Sequence, residues 1–243
     1  MPTAYRIHKI APQKRGSRGI TKPAACTLHG ILKFDCEESP HLVYNEYVAT
    51  RLAQMLRIPV ADGVLTVAGD GLAYASLEVA LPGLDLPNMR VSQHEAVVKR
   101  YPSQAAAILA FDYWIGNVDR GANVKASLKS PHVPLFRAFD HHFCLLSVEQ
   151  EAEASIERLE SMDPVLQGHP FQPWVAQGEF NRWVGRISSA QEELIRECCV
   201  FRSDFRSVTL SIQERLCHAL RLRAIQLAKI VPTPINLLDS FAW

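Results

Sequence analysis

Four charged residues of the 243-residue chain lie where their surroundings are otherwise apolar or tightly turned. Lys33 interrupts a short apolar run, and Glu46 follows it in a segment with helical periodicity. Asp119 lies in a loop that contains a glycine, and Asp140 ends a second apolar run. An ammonium group can bind phosphate oxygens, whereas carboxylates can orient a hydroxyl or hold Mg²⁺. The order of these residues therefore indicates the chemistry of phosphoryl transfer.

The position of Lys33 calls for a partner. Residues 30–34 are predicted to form a buried strand, in which an unpaired ammonium group is costly. Glu46, on the helix that follows, is the natural counter-ion. The alternative is that Lys33 extends its ammonium group to solvent from an edge strand.

The segment 115–123, with the sequence IGNVDRGAN, has the polar composition of a catalytic loop. Asp119 would accept or orient the proton of an acceptor hydroxyl. The amide oxygen of Asn123 could coordinate Mg²⁺, and Arg120 could pair with a carboxylate or a phosphate. A solvated turn without chemistry is the alternative interpretation of this segment.

Two further segments could contact a bound nucleotide. Asp140 ends the strand-like run 135–139, where its carboxylate could meet a metal ion that bridges phosphates. Near the N-terminus, Gly16 and Ser17 lie in the sequence RGSRG, which could present backbone amides to phosphates. Neither a GxGxxG nor a Walker sequence is present, so an ordinary flexible N-terminal segment is the alternative.

The elements that must position these residues change in type along the chain. Residues 42–58 have helical spacing and stop before Pro59, and 60–80 have the turns of a hairpin or meander. Residues 95–117 read as helical, and most of the later chain also has amphipathic helical spacing. The tail helices are expected to serve packing. These patterns predict an α+β fold.

Composition excludes several classes of protein. The chain is 48% hydrophobic, which is enough for a core, and its 26 basic residues nearly balance 25 acidic ones. No global field attracts nucleic acid, so no direct nucleic-acid binding is expected. No apolar stretch is long enough to span a membrane, and the N-terminus is too polar for a secretory signal. The expected location is the cytoplasm.

Cysteine and histidine residues give little indication of a further metal site. The six cysteines contain no CxxC pair, so free buried thiols are expected, including Cys198 and Cys199 in the core. His141 and His142 follow Asp140, but adjacent side chains on a strand point to opposite faces. A shared transition-metal ion is therefore not expected.

The motifs GILKF, YNEYVATRLA, WIGNVDRGAN and FDHHFCLL together resemble the bacterial HipA-like kinase family over about residues 15–146. Phosphatidylinositol 3/4-kinases share a similar DRxxxN and strand-end aspartate arrangement. The resemblance implies a two-lobed protein-kinase-like fold, with a β-rich N-lobe containing one helix (1–84), a mostly helical C-lobe (85–243) and ATP between them. It assigns Lys33 to the ATP phosphates with Glu46 as its partner, Asp119 to catalysis, and Asn123 with Asp140 to Mg²⁺.

The chain departs from the family in two respects. In the family the metal-binding asparagine usually follows the loop aspartate at the fifth position, whereas Asn123 follows Asp119 at the fourth. HipA toxins also carry an additional N-terminal subdomain and act beside a DNA-binding antitoxin, and the 243 residues are expected to lack that subdomain. Toxin–antitoxin behaviour is therefore not assumed.

The function expected from the residues and the resemblance is an ATP- and Mg²⁺-dependent kinase that phosphorylates a hydroxyl, on serine or threonine of a protein. One alternative is a pseudokinase in which the shortened loop has lost productive metal coordination while nucleotide or partner binding remains. Another is a lipid or small-molecule kinase on the same fold.

Overall fold

The computed structural model describes residues 7–11, 25–69, 71–79, 86–129, 134–161, 163–166 and 168–230. Gly16, Ser17 and the predicted lobe boundary at 84/85 lie outside these residues. The elements in chain order are β1 (Ile7–Ala11), β2 (Ala25–Leu28), β3 (Gly30–Lys33), α1 (Leu42–Leu56), β4 (Gly63–Ala68), β5 (Gly71–Leu77), α2 (His94–Arg100), α3 (Pro102–Ile115), β6 (Val124–Ala126), β7 (Phe136–Ala138), α4 (Ala152–Glu160), α5 (Gln177–Ser188), α6 (Glu192–Cys199) and α7 (Leu210–Ile230). This mixture confirms the predicted α+β class.

The first half of the chain is built around a three-stranded antiparallel sheet with the order β3-β5-β4. The strand at 30–34 and the hairpin within 60–80 are thus confirmed. β3 is an edge strand, and its residues Ile31 and Leu32 are 64% and 48% exposed, so the expectation of a fully buried strand was wrong. β1 and β2 form a separate antiparallel ribbon that was not predicted.

Helix α1 forms where the apolar periodicity predicted it. Val48, Leu52 and Leu56 recur on one face and are buried in the main core. The helix ends at Arg57, whose left-handed φ of 57° lets the backbone N–H of Ile58 bond the Ala53 carbonyl at 2.8 Å. α1 packs on β4 and β5 and also on α6. It therefore connects the sheet with the helical half.

The segment 95–117, predicted to be helical, forms two helices in the structure. α2 ends at Arg100, and α3 begins at Pro102, whose missing N–H and fixed φ suit the first position of a helix but not an interior one. α3 is buried on all sides from Ala105 to Ile115. It is the central helix of the fold and leads directly into the polar segment that contains Asp119.

The helices after residue 150 pack as expected. α7 contacts α3, α4, α5 and α6, and Cys198 and Cys199 are buried. Arg223 on α7 is also buried, where its guanidinium donates to the carbonyls of Tyr113 and Leu159, both at 3.1 Å. These bonds satisfy the last turns of α3 and α4. Of the helices in the described ranges, none is long and apolar enough to cross a membrane.

Candidate active site

Lys33 joins three parts of the chain at one point. It is the last residue of β3, and its side chain is only 16% exposed. Its ammonium group donates to a carboxylate oxygen of Glu46 on α1 and, at 2.8 Å, to Oδ1 of Asp140. The alternative in which Lys33 extends to solvent is therefore wrong, and the structure brings three of the predicted site residues together.

Helix α1 carries Glu46 into this site and is anchored on the helical half by its neighbours. The Asn45 side chain donates to the His142 carbonyl at 3.0 Å and accepts the Leu146 N–H at 3.2 Å. The Tyr44 hydroxyl donates to the Cys199 carbonyl at 2.7 Å. Because these bonds cross from one half to the other, the position of Glu46 depends on both halves.

Asp140 follows the end of β7 by two residues and has an unusual backbone conformation. Its φ of 62° is in the left-handed region, which costs a residue other than glycine on the order of 1 kcal/mol. Its Oδ1 accepts hydrogen bonds from Lys33 and from Nδ1 of His142, the latter at 2.5 Å. Its Oδ2 accepts no hydrogen bond from the described residues, so this atom is available to a metal ion.

The ion pairs at Lys33 shift the pKa of each partner. Burial acts to lower the pKa of Lys33, but the charges of Glu46 and Asp140 outweigh it and raise that pKa above its usual value. Burial raises the pKa of Glu46, whose side chain is 2% exposed. Asp140 is 26% exposed, and hydrogen bonds from His142 and Lys33 hold its pKa well below the usual range despite partial burial. Asp140 is therefore anionic at neutral pH.

The loop after α3 places Asp119 at the surface and Asn123 beside it. The Asn123 amide nitrogen donates to the Asp119 carbonyl at 2.9 Å, while the Asp119 carboxylate is exposed. With the nitrogen occupied, Oδ1 of Asn123 accepts no hydrogen bond from the described residues. The Asn123 carbonyl accepts the N–H of Phe139 at 3.1 Å, which places this loop against the residue before Asp140.

A buried ion pair between the loop and α3 holds the loop in place. The Arg120 side chain is 1% exposed and donates to both carboxylate oxygens of Asp112 at 2.7 and 2.9 Å. The same guanidinium donates to the carbonyls of Asn123 at 3.0 Å and Phe139 at 2.8 Å. Arg120 therefore binds a carboxylate, one of the two partners expected for it, and ties the Asp119 loop to the segment that leads into Asp140.

Asp112 was missed in the sequence and has further partners. Asn117 donates to it at 2.9 Å, and Nε2 of His169 also donates at 2.9 Å while Nδ1 accepts the Phe171 N–H. Burial acts to raise the pKa of Asp112, but Arg120 and His169 hold it well below the usual range. Its signal in the sequence is a lone carboxylate within the apolar stretch AAAILAFDYWI.

His142 follows Asp140 in the sequence, where a metal ion shared by the two adjacent histidines was not expected. Ligand atoms of Glu46, Asp140 and His142 all lie within 4.8 Å of one another, so these side chains could hold a cation together. His141 is fully buried with Nδ1 at 3.9 Å from Oε2 of Glu46, and burial lowers its pKa to about 3, which keeps it neutral. The two histidines do occupy different surroundings, as expected, but His142 lies with the two acids.

Comparisons with known proteins define the fold. No protein-family model matches the chain, and no curated protein matches it. The Helicobacter pylori proinflammatory kinase CtkA superposes with a TM-score of 0.55 at 15% identity, over 96% of this chain and 98% of that one. Shewanella oneidensis HipA, solved with HipB and its operator DNA, superposes with a TM-score of 0.53 at 14% identity. That match covers 86% of this chain and 61% of the Shewanella chain.

These similarities confirm the resemblance found in the sequence at the level of the fold. The chain has the two-lobed α+β fold of HipA-like kinases. Lys33 and Glu46 belong to the sheet and helix of the first half, whereas Asp119 and Asp140 flank the β6–β7 hairpin of the second. The fold that the chain shares with these two structures is therefore kinase-like.

Proposed function

We propose that this chain is an ATP- and Mg²⁺-dependent kinase that transfers the γ-phosphate to a hydroxyl, on serine or threonine of a protein. The observation that carries the proposal is the position of Lys33, whose ammonium group lies between Glu46 and Asp140. A kinase needs this cation near the metal-binding carboxylate, because both act on the same phosphates. The fold shared with CtkA and HipA is consistent with this role.

Each predicted residue then has a role that fits its surroundings. Lys33 binds phosphate oxygens, and Glu46 keeps the ammonium group in place when Asp140 turns to a metal ion. Asp119 orients the acceptor hydroxyl and receives its proton, for which its exposed carboxylate is suited. Transfer is accelerated by positioning and charge neutralisation rather than by a covalent intermediate.

Two side-chain oxygen atoms of this site are candidates to hold Mg²⁺. Mg²⁺ prefers oxygen ligands, and Oδ2 of Asp140 and Oδ1 of Asn123 are both left without hydrogen bonds by the described residues. The backbone bond between Asn123 and Phe139 keeps the two ligands on neighbouring segments. When bound, Mg²⁺ would neutralise phosphate charge during transfer.

The test is phosphoryl transfer from γ-labelled ATP to a mixture of serine and threonine peptides. Asp119→Ala is expected to reduce transfer by at least about 100-fold, the usual contribution of a catalytic acid or base. Binding of Mg·ATP should change little, because Asp119 contacts the acceptor. Glu157→Ala, which removes an exposed carboxylate of α4, is the control. Normal transfer by Asp119→Ala would refute the assignment.

A pseudokinase is the second candidate, and one observation favours it. The amide of Asn123 is held by Asp119 in a loop one residue shorter than the family pattern, which could draw its oxygen away from a nucleotide-bound metal ion. Mg·ATP binding without transfer to any acceptor, in the native chain, would identify this case. Transfer that depends on Asp119 would exclude it.

A further inference from the structure

Two apolar side chains are exposed beside the proposed catalytic carboxylate. Val118 precedes Asp119 and is 51% exposed, and Phe143 is 40% exposed. The Val118 N–H donates to the Phe143 carbonyl at 3.2 Å, so the two residues lie on adjoining backbone segments. Both are thus fixed next to the place that an acceptor hydroxyl must reach.

The packing of these segments does not require either side chain. Asn117, Arg120 and Cys144 are the buried anchors of the two segments, with exposures of 0%, 2% and 0%. Neither Val118 nor Phe143 belongs to the main core. Their apolar surface in contact with water is unfavourable for an isolated chain, at about 25 cal/mol per Å². Two such side chains on adjoining segments beside Asp119 are suited to contact an acceptor.

The ring of Phe143 is also held in a defined position. Its centroid is 3.8 Å from that of the His142 ring, and His142 in turn donates to Asp140. The ring therefore keeps its place relative to the carboxylate proposed to hold Mg²⁺. On the other segment, Val118 is covalently adjacent to Asp119. A hydroxyl between Asp119 and a bound phosphate would be flanked by these two apolar groups.

We infer that Val118 and Phe143 form an acceptor platform that selects a protein segment in which the reactive serine or threonine is next to an apolar residue. The inference rests on the proposed function and names its substrate class. A sugar or inositol surrounds each hydroxyl with others, which an apolar surface would leave without hydrogen-bond partners. A peptide with leucine beside serine instead buries apolar surface against the platform.

The experiment uses the full chain with Mg·ATP and two serine peptides of equal length and charge, one with leucine and one with glutamine on both sides of the serine. The native chain should phosphorylate the leucine peptide with a kcat/KM at least about tenfold higher. Val118→Ser and Phe143→Ser should each remove most of this preference by raising the KM for the leucine peptide, with little change in kcat.

The chain offers a matched control for each variant. Ile225 on α7 is 54% exposed and matches Val118, while Leu194 on α6 is 41% exposed and matches Phe143. Ile225→Ser and Leu194→Ser remove similar exposed apolar surface on α7 and α6. Both variants should keep the preference for the leucine peptide and the native KM for that peptide. A fall in preference in the control variants as well would show a general loss of structure and would overturn the inference.

The other outcomes separate this inference from the proposed function. Equal use of the two peptides, or an unchanged preference in Val118→Ser and Phe143→Ser, would overturn the platform while transfer itself stood. Hydrolysis of ATP without transfer to either peptide would overturn the peptide acceptor and the platform, while the use of ATP stood. Absence of Mg·ATP binding, measured separately by calorimetry, would overturn the proposed function and the platform with it.

Discussion

Replacement of Asp112 by asparagine removes one charge from the most deeply buried ion pair of the site. Asp112 is 0% exposed and accepts hydrogen bonds from Arg120, Asn117 and His169. Asparagine has nearly the same size and leaves no cavity, so the change isolates the charge. The change leaves the guanidinium of Arg120 buried without a counter-ion. The new amide NH₂ group also faces the donors that bonded Asp112.

The expected loss of stability follows from this burial. Removal of one partner of a buried ion pair typically costs about 3–5 kcal/mol, because the remaining charge is desolvated without compensation. A chain of this size shifts its midpoint of thermal unfolding by about 2–4 °C per kcal/mol. Asp112→Asn should therefore lower the midpoint by about 6–20 °C. This loss is a large part of the stability of an ordinary domain, about 5–15 kcal/mol.

Urea and thermal unfolding, followed by circular dichroism, measure this loss. The control is Glu214→Gln, which breaks the ion pair with Arg196. The side chain of Arg196 is 57% exposed and that of Glu214 is 41% exposed. An exposed pair contributes at most about 1 kcal/mol. If Asp112→Asn costs no more than Glu214→Gln, the interpretation of the buried pair is wrong.

A double variant separates stability from positioning. Asp112→Leu with Arg120→Met replaces the pair by apolar side chains, which is often neutral for stability. The carbonyls of Asn123 and Phe139 would nevertheless lose their shared guanidinium donor. Asn117 and His169 would also lose their acceptor in Asp112, so we expect the double variant to recover only part of the stability and to transfer phosphate poorly. Full recovery of transfer would show that Arg120 does not position the loop.

Two further predictions concern pH and backbone conformation. Burial lowers the pKa of His169, so the unfolded chain takes up a proton near pH 6.5 that the folded chain does not, and stability is lost as the pH falls below that value. His169→Gln should reduce the slope of unfolding free energy against pH, by at most about 1.4 kcal/mol per pH unit in urea titrations at pH 5–6.5; an unchanged slope would contradict this. Gly116 ends α3 with a φ of 70°, and an added Cβ would lie 2.9 Å from Val148 Cγ2 and 3.0 Å from Leu159 Cδ2. Gly116→Ala should cost about 1–3 kcal/mol by the same assay, and an unchanged urea midpoint would refute this account.

The sequence predicted the contact between Lys33 and Glu46 because strand and helix follow each other directly and each charge lies in an apolar pattern. It did not predict that Asp140 is also an ion-pair partner of Lys33, since the two residues are 107 positions apart. Asp112 was missed because its contacts with Asn117 and Arg120, 5 and 8 residues later, depend on how the chain turns after α3, and His169 is 57 positions away. The contact of His142 with Asp140 depends on the turn after β7. Local periodicity contains no information on either turn.

The fold could be predicted where one period dominates. α1 has a clear apolar face, so its bounds agreed within two residues at the C-terminal end. α3 is apolar on all sides, which hid the boundary at Pro102 within one helical run. β1 and β2 are short, and all four residues of β2 are exposed, so β2 lacks the buried alternating face that marks a strand.

Titration calorimetry with a non-hydrolysable ATP analogue, with and without Mg²⁺, tests the central claim most directly. The native chain should bind the analogue more tightly with Mg²⁺ than without it. In Asp140→Asn this increase in affinity should be at least about tenfold smaller, because a charged ligand becomes neutral. Asp163→Asn, at a carboxylate that is 70% exposed, should retain the gain. Equal affinity and equal Mg²⁺ dependence in the native chain and Asp140→Asn would contradict the proposal that this site binds Mg·ATP.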